Sequence, residues 1–190
     1  MIRKVFGILL ALVIALVVIG FLLPTRAEVE RSRVIDHPPD VVFEVLTDLR
    51  HFTQWAPWTS RNPTMSWRLE GEPPRGVGAT LVWQETPEAE SSRLWIVGVD
   101  RPNRIDMKLE LGGNEADSWF ELVEGEGGLE VRWGMSMRFG ALDLVGRYVG
   151  LLLPGLVGRD YGEGLERLDE YLSSSPGRVP ELPERTRSRP

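Results

Sequence analysis

Residues 128–139 read GLEVRWGMSMRF, and this stretch indicates most clearly which class of fold the chain adopts. Every second position is apolar, while glutamate, arginine, glycine and serine fill the positions between. A period of two is typical of a β-strand that is buried on one face and meets water on the other. The stretch therefore predicts one strand of an antiparallel sheet that is covered on one side. The apolar positions are Leu129, Val131, Trp133, Met135, Met137 and Phe139.

More strands with this period precede it, separated by short links rich in glycine and proline. Such links close hairpins but cannot carry parallel crossovers, so neighbouring strands are predicted to be antiparallel. Another strand, Val29–Asp36, is predicted before this group. The six runs of the group are Thr64–Glu70, Gly78–Thr86, Ser92–Asp100, Arg104–Leu111, Ala116–Glu124 and Gly128–Phe139.

Helical patterns flank the strands. The prolines at 38 and 39 suit a first helical turn, and apolar residues follow at 42, 45, 46 and 49. After the strands, Leu142–Leu153 is strongly apolar and is predicted to end at Pro154, and Leu156–Leu172 has amphipathic helical spacing. The pattern predicts an α+β domain at residues 28–172, long enough for a stable core. The remaining residues, 173–190, are rich in proline and arginine and are expected to be disordered.

The N-terminal segment is uncharged from Val5 to Leu23. As a helix this run is about 28 Å long, close to the thickness of a bilayer core, and it is long for a cleaved signal. We therefore expect residues 1–27 to form a single-pass anchor in the cell membrane, with a cleaved signal as the alternative. Basic residues on its two sides are nearly balanced, and we favour a cytoplasmic N-terminus with the domain outside the cytoplasm.

Composition excludes several classes of site. Cysteine is absent, which rules out disulfides and thiolate chemistry, and two histidines, His37 and His51, leave little room for zinc. No metal and no cofactor is predicted. The net charge is −6, and the domain is more acidic than the N-terminal segment, so nucleic acid is not an expected partner. The oligomeric state is left open.

Aromatic residues are the most informative candidates for a site. All seven tryptophans follow the anchor, and five fall in predicted strands. They either pack the sheet against its helices or line a pocket for an apolar ligand, a role that the adaptable methionines also suit. No catalytic motif is present, so no catalytic residue is predicted. The predicted cavity wall consists of Trp55, Trp58, Trp83, Met107, Trp133, Met135, Met137 and Tyr148.

The order of strand, helices, six antiparallel strands and long terminal helix is that of a helix-grip fold. At the motif level the chain resembles the SRPBCC (START-like) superfamily, and most of all its membrane-anchored polyketide cyclase/dehydrase-like members. The residues that carry the resemblance are Val34–Phe43, Trp55–Trp58, Gly76–Ala79, Gly146–Tyr148, Gly158–Tyr161 and Gly164–Leu165.

The resemblance implies a curved sheet of about seven strands around the C-terminal helix, with a deep cavity between them. Its members bind lipids, sterols or polyketides there, some are enzymes, and they share no universal catalytic motif. We expect a membrane-tethered domain that binds a hydrophobic small molecule or lipid, with residues 142–156 as either an apolar lid or a plain core helix. A cyclase or dehydratase would need a buried acid or base, such as Glu85, Arg147 or Tyr148. A protein-interaction module would need an exposed apolar patch.

Overall fold

The computed structural model describes residues 2–62, 65–71, 73–86, 88–111, 113–183 and 188–189. In the middle of the chain the strands follow one another with no helix between them, and helices lie before and after this group. In chain order the elements are α1 (Ile2–Leu22), β1 (Arg26–Ile35), α2 (Pro39–Thr47), α3 (Leu49–Trp55), α4 (Pro57–Arg61), β2 (Ser66–Glu70), β3 (Thr80–Gln84), β4 (Ser92–Asp100), β5 (Arg104–Leu111), β6 (Asn114–Gly125), β7 (Gly128–Arg138), α5 (Leu144–Gly150), α6 (Leu153–Ser173) and β8 (Ser188–Arg189).

The strands form one antiparallel sheet in the order β1-β7-β6-β5-β4-β3-β2-β8. Seven strands make a curved sheet around α6, as the helix-grip expectation requires, and the two-residue β8 adds to the edge beside β2. The link from β1 to β2 carries three short helices, α2, α3 and α4. These helices and α6 cover the inner face of the sheet, where the hydrophobic core lies.

The alternation in β7 is confirmed on its inner face, where Trp133 and Met135 are each 1% exposed. The outer face is less open to water than the pattern predicts, because Gly134 and Ser136 are also buried. The indole of Trp119 lies over Gly134 so closely that a Cβ there would come within 2.1 Å of the ring. Arg26 covers Ser136 and donates a hydrogen bond to its hydroxyl over 2.7 Å.

Some predicted boundaries were wrong. Leu142–Leu153 is not one helix ending at Pro154, because α5 ends at Gly150 and Pro154 lies in the first turn of α6, where proline is tolerated. β3 is shorter than predicted and β6 is longer, while Thr64 lies outside the described residues. The predicted disorder of residues 173–190 stays a prediction.

The N-terminal helix α1 is long and apolar enough to cross a membrane, and a signal sequence has the same two properties. Its neighbour in the fold is α5, which packs against its C-terminal end. The domain and α1 are therefore in direct contact.

Candidate functional site

A cavity of about 200 Å³ lies between the inner face of the sheet and the helices α4 and α6. Aromatic and aliphatic side chains form most of its wall, and the polar residues Asn62, Glu85 and Asp160 complete it. The apolar lining residues are Trp58, Met65, Trp83, Leu94, Leu109, Trp133, Met135, Val157 and Tyr161.

Sheet register places this cavity at the end of the domain nearest α1. Ala27, the second residue of β1, follows shortly after α1 and pairs with Met137, and the same row continues across the sheet through Ala116 to Leu109 and Leu94. Leu109 and Leu94 are cavity residues. The opposite end of the inner face is filled by α2, α3 and the C-terminal half of α6.

Strand alternation explains how the cavity residues of the sheet come to face inward. Trp133 and Met135 are two residues apart on β7, and both point to the covered face. Trp83 on β3 stands on the matching face, as its phase with Leu81 predicts. Trp58 reaches the cavity from α4, a short helix that Pro57 begins.

The centre of the wall is Trp133. Its indole is stacked on the Tyr161 phenol, with ring centroids 3.9 Å apart and an angle of 8° between the planes. Four further rings lie around it with centroid distances of 5.0 to 6.0 Å, a separation at which aromatic pairs attract each other. These rings belong to Phe52, Trp55, Trp58 and Phe120.

The polar side of the cavity lies where α4 meets α6. Arg61 at the end of α4 forms ion pairs with Asp160, at 2.5 Å, and with Glu163. The amide of Asn62 donates a hydrogen bond to the backbone carbonyl of Glu85 over 3.1 Å. These contacts join α4 to α6 and to β3 beside the cavity.

The structure brings four of the predicted wall residues together around the cavity, namely Trp58, Trp83, Trp133 and Met135. It places the other four elsewhere. Met107 and Trp55 are buried in the core, and Met137 is partly buried against it. Tyr148 lies on α5, where its hydroxyl donates a hydrogen bond over 2.7 Å to the carbonyl of Leu16 in α1.

Pattern reasoning missed several cavity residues, of which Tyr161 and Val157 matter most. Tyr161 lies four residues before Leu165 and seven before Leu168. The helical spacing of α6 therefore predicts that the side chain of Tyr161 faces the sheet. Burial raises the pKa of its phenol, which therefore stays neutral. Leu94, Leu109 and Met65 carried no signal that distinguished them from ordinary core residues.

A separate polar cluster lies under α3, and none of its members lines the cavity. His51 is buried in the first turn of α3, and its Nδ1 is hydrogen-bonded to the Tyr171 hydroxyl at 2.7 Å. Burial lowers the pKa of His51, although the charge of Asp48 opposes the shift. Burial would raise the pKa of Asp48, but hydrogen bonds and charge from Arg50 outweigh it and lower that pKa.

Few of the described side chains near the cavity could act as a catalytic acid or base or as a metal ligand. Of the three side chains considered for an enzyme, Glu85 is exposed beside the cavity, while Arg147 and Tyr148 contact α1. Within the described ranges, no three His, Asp or Glu side chains form a cluster suited to a metal ion. What the arrangement offers is an apolar cavity with polar groups along one side.

The fold is shared with proteins of known structure. A protein of unknown function from Staphylococcus aureus superposes with a TM-score of 0.58 at 14% identity, covering 79% of this chain and 95% of that one. A protein from Mesorhizobium loti gives 0.55 at 15% identity, covering 78% and 98%. The di-domain ARO/CYC StfQ of the steffimycin biosynthetic pathway gives 0.56 at 13% identity, covering 79% of this chain and 51% of StfQ. At these identities the likeness shows the fold alone.

Sequence comparison identifies the family. None of the curated proteins matches the chain at a significant level. Residues 26–173, from the first residue of β1 to the last of α6, match the family model described as "Polyketide cyclase / dehydrase and lipid transport". The resemblance to the START-like superfamily is thereby confirmed, and the chain belongs to the polyketide cyclase/dehydrase and lipid transport family.

Proposed function

We propose that this protein is anchored in the membrane by α1 and binds a hydrophobic small molecule or lipid in the cavity between α6 and the sheet. The observation that carries the proposal is the cavity wall, which is built from large apolar side chains with polar groups on one side only. Pockets for small molecules have this composition, because apolar area supplies affinity and a few polar groups fix orientation. The family description, which includes lipid transport, supports the same class of ligand.

The volume limits the size of the ligand. Pockets for drug-sized ligands usually enclose about 300–1,000 Å³. A cavity of about 200 Å³ therefore accepts a few fused rings or a short stretch of acyl chain without rearrangement. We expect a longer ligand either to extend out of the cavity or to part α4 from α6, in which case it breaks the Arg61 ion pairs.

The indole N–H of Trp133 leads us to expect a polar group on the ligand. Its Nε1–H is buried and has no hydrogen-bond partner within the described part of the chain. An unsatisfied buried donor costs about 1–3 kcal/mol. A ligand oxygen that accepted this hydrogen bond would remove the cost, so we expect the preferred ligand to carry a carbonyl or hydroxyl group.

Binding is favoured over catalysis by the position of the ionisable groups. Proton transfer in an apolar cavity requires an acid or base that reaches the reacting atom. Glu85 is exposed, and Tyr148 and Arg147 are held by contacts to α1. A cyclase or dehydratase activity would depend on Glu85 or Asp160. Dehydration of an added polyketide would appear in mass spectrometry as the loss of one water, whereas cyclisation alone keeps the mass and would appear as a change in chromatographic retention and ultraviolet absorption.

Ligand titration tests the proposal. The full-length protein in detergent is titrated with a fatty acid, an isoprenoid alcohol and an aromatic polyketide, and tryptophan fluorescence and thermal unfolding are recorded. We expect a saturable fluorescence change for at least one class, because three tryptophans line the cavity. The same ligand should stabilise the fold by about 2.7 kcal/mol at 100 times its Kd. No response to any of the three would contradict the proposal.

The anchor is tested separately. Full-length protein should stay in the membrane fraction after carbonate extraction, and a protease added outside the cell should reach the domain. A soluble product that begins near Glu28 would show that α1 is a cleaved signal.

A further inference from the structure

One surface of the domain is apolar and exposed over many adjacent residues. It extends from the segment before α5 to the second turn of α6, and its side chains are between 48% and 83% exposed. We call this surface the leaflet face. It consists of Leu142, Val145, Val149, Leu151, Leu152 and Leu156. Exposed apolar residues are common singly, but a contiguous patch of this kind marks an interaction surface.

The leaflet face adjoins the C-terminal half of α1. The Tyr148 hydroxyl donates a hydrogen bond to the Leu16 carbonyl, and Gly20 lets α5 approach closely. A Cβ at Gly20 would lie 3.2 Å from the Tyr148 ring and 3.3 Å from Leu144. The two helices are therefore in contact along the last turns of α1.

Arg147, the residue before Tyr148, fixes the same junction. Arg147 is 5% exposed, and its guanidinium donates to the carbonyls of Phe21 and Leu23, at 3.2 and 3.4 Å, and to that of Ala141 at 2.8 Å. The last carbonyls of a helix have no partner within the helix and carry a partial negative charge. A buried arginine at this point satisfies them and holds α5 against the end of α1.

The depth of these contacts matters if α1 spans the membrane. Leu16 lies six residues before Leu22, which corresponds to about 9 Å along the helix. Amphipathic segments at a membrane surface bury their apolar side by about 5–10 Å. Tyrosine is also enriched at this depth, where an apolar ring and a polar tip are both accommodated.

We propose that the leaflet face is inserted into the lipid leaflet in which α1 ends, so that the domain lies on the membrane and not at a distance from it. The occupant of the surface is the acyl-chain and headgroup boundary of the bilayer. The inference rests on the proposed anchor but not on ligand binding.

The leaflet face is also next to the cavity. Leu152, just before α6, and Leu156 in α6 are exposed in it, and the following positions, Leu153 and Val157, turn inward, where Val157 lines the cavity. The cavity itself lies at the end of the sheet nearest α1. Insertion of the leaflet face thus brings the cavity close to lipid, and a membrane-dissolved ligand could reach it without crossing water.

Site-directed spin labelling tests the inference, and the lack of native cysteine makes each label unique. Val145→Cys and Leu156→Cys report on the leaflet face in full-length protein, reconstituted into vesicles of phosphatidylcholine and phosphatidylglycerol. Val77→Cys is the matched control, because Val77 is an exposed valine remote from the face, and Val13→Cys reports on α1. Accessibility of each nitroxide to oxygen, which concentrates in lipid, is compared with accessibility to a water-soluble nickel chelate.

We expect labels at 145 and 156 to collide mainly with oxygen, as the label at 13 does, and the label at 77 to collide mainly with the chelate. A label at 13 in lipid with labels at 145 and 156 in water would overturn the inference and leave the anchor intact. Labels at 145 and 156 shielded from both reagents would indicate a protein cover, such as a second copy, and would also overturn it. A label at 13 in water would overturn the anchor and the inference together.

Discussion

Tyr161 on α6 and Trp133 on β7 stack face to face, and this contact joins the long helix to the sheet. The stack is also part of the cavity wall, so the same two rings contribute to the core and to the candidate site. Gly164, one turn further along α6, makes the close approach possible, because a Cβ there would come within 2.6 Å of the Trp133 ring. The size of the cavity is therefore coupled to the packing of α6.

Removal of the Trp133 ring should be costly. We expect Trp133→Ala to lower the free energy of unfolding by about 3–5 kcal/mol, because the ring is buried among five others. Trp133→Phe keeps part of the aromatic contact and should cost less. Denaturant unfolding of the two variants measures the difference. A loss below about 1 kcal/mol for Trp133→Ala would contradict this packing.

Two glycines of α6 form a matched pair. Gly164→Ala should destabilise the protein by about 1–3 kcal/mol, because the new methyl group overlaps the Trp133 ring. Gly162→Ala should stabilise it by about 0.5–1 kcal/mol, because nothing lies within 4 Å and alanine favours a helix. Thermal unfolding of both variants checks the sign. Equal effects at the two positions would contradict this packing, because they would mean that α6 turns a different face towards the sheet.

The buried His51 should make stability depend on pH. Burial lowers its pKa below the ordinary value of 6.5, so the unfolded chain takes up a proton first as the pH falls. Its contribution is complete above pH 6.5 and is lost as the pH falls below that value. The lowered pKa of Asp48 also costs stability in acid, but in a window near and below its ordinary value of 3.8.

The comparison of wild type with His51→Asn isolates this effect. Between about pH 7.5 and about pH 5, the Tm of the wild type should fall more steeply than that of the variant, which has no group titrating at this position. Parallel curves over this range would contradict the role given to His51.

Arg61 should control access to the cavity more than stability. Its side chain is 42% exposed, and ion pairs at such sites contribute at most about 1 kcal/mol. Arg61→Met should therefore leave the Tm nearly unchanged while ligand association and dissociation both become faster, as measured by stopped-flow fluorescence. Arg68→Met, which removes the exposed pair with Glu70, is the control and should leave both rates unchanged.

Most of the sheet could be predicted because each strand has its own alternation of apolar and polar residues and is bounded by residues that favour turns. β4 and β5 have the predicted bounds, Ser92–Asp100 and Arg104–Leu111, since glycine, proline or asparagine breaks the apolar period at their ends or between them. The inward faces of β3 and β7 followed from a period of two. Helix ends were less predictable, because a proline such as Pro154 can end one helix or begin the next.

The cavity was only partly predictable. Strand phase places Trp83, Trp133 and Met135 on the covered face, but it cannot distinguish a cavity residue from a core residue such as Met107. That distinction depends on how side chains from distant elements fill space. Tyr148 shows a second limit: its helix is apolar on several sides, and only the tertiary structure shows that this side contacts α1.

The central claim, that an apolar ligand occupies this cavity, is tested most directly by filling it. Val157→Phe places a larger side chain into the cavity from α6, whereas Val99→Phe adds the same ring to an exposed valine of β4. Equilibrium dissociation constants of both variants and the wild type are measured by tryptophan fluorescence for the ligand identified by titration. We predict that Val157→Phe weakens binding at least tenfold, which is about 1.4 kcal/mol, and that Val99→Phe leaves it unchanged. Equal affinity in all three proteins would contradict the account, because the ligand would then bind elsewhere.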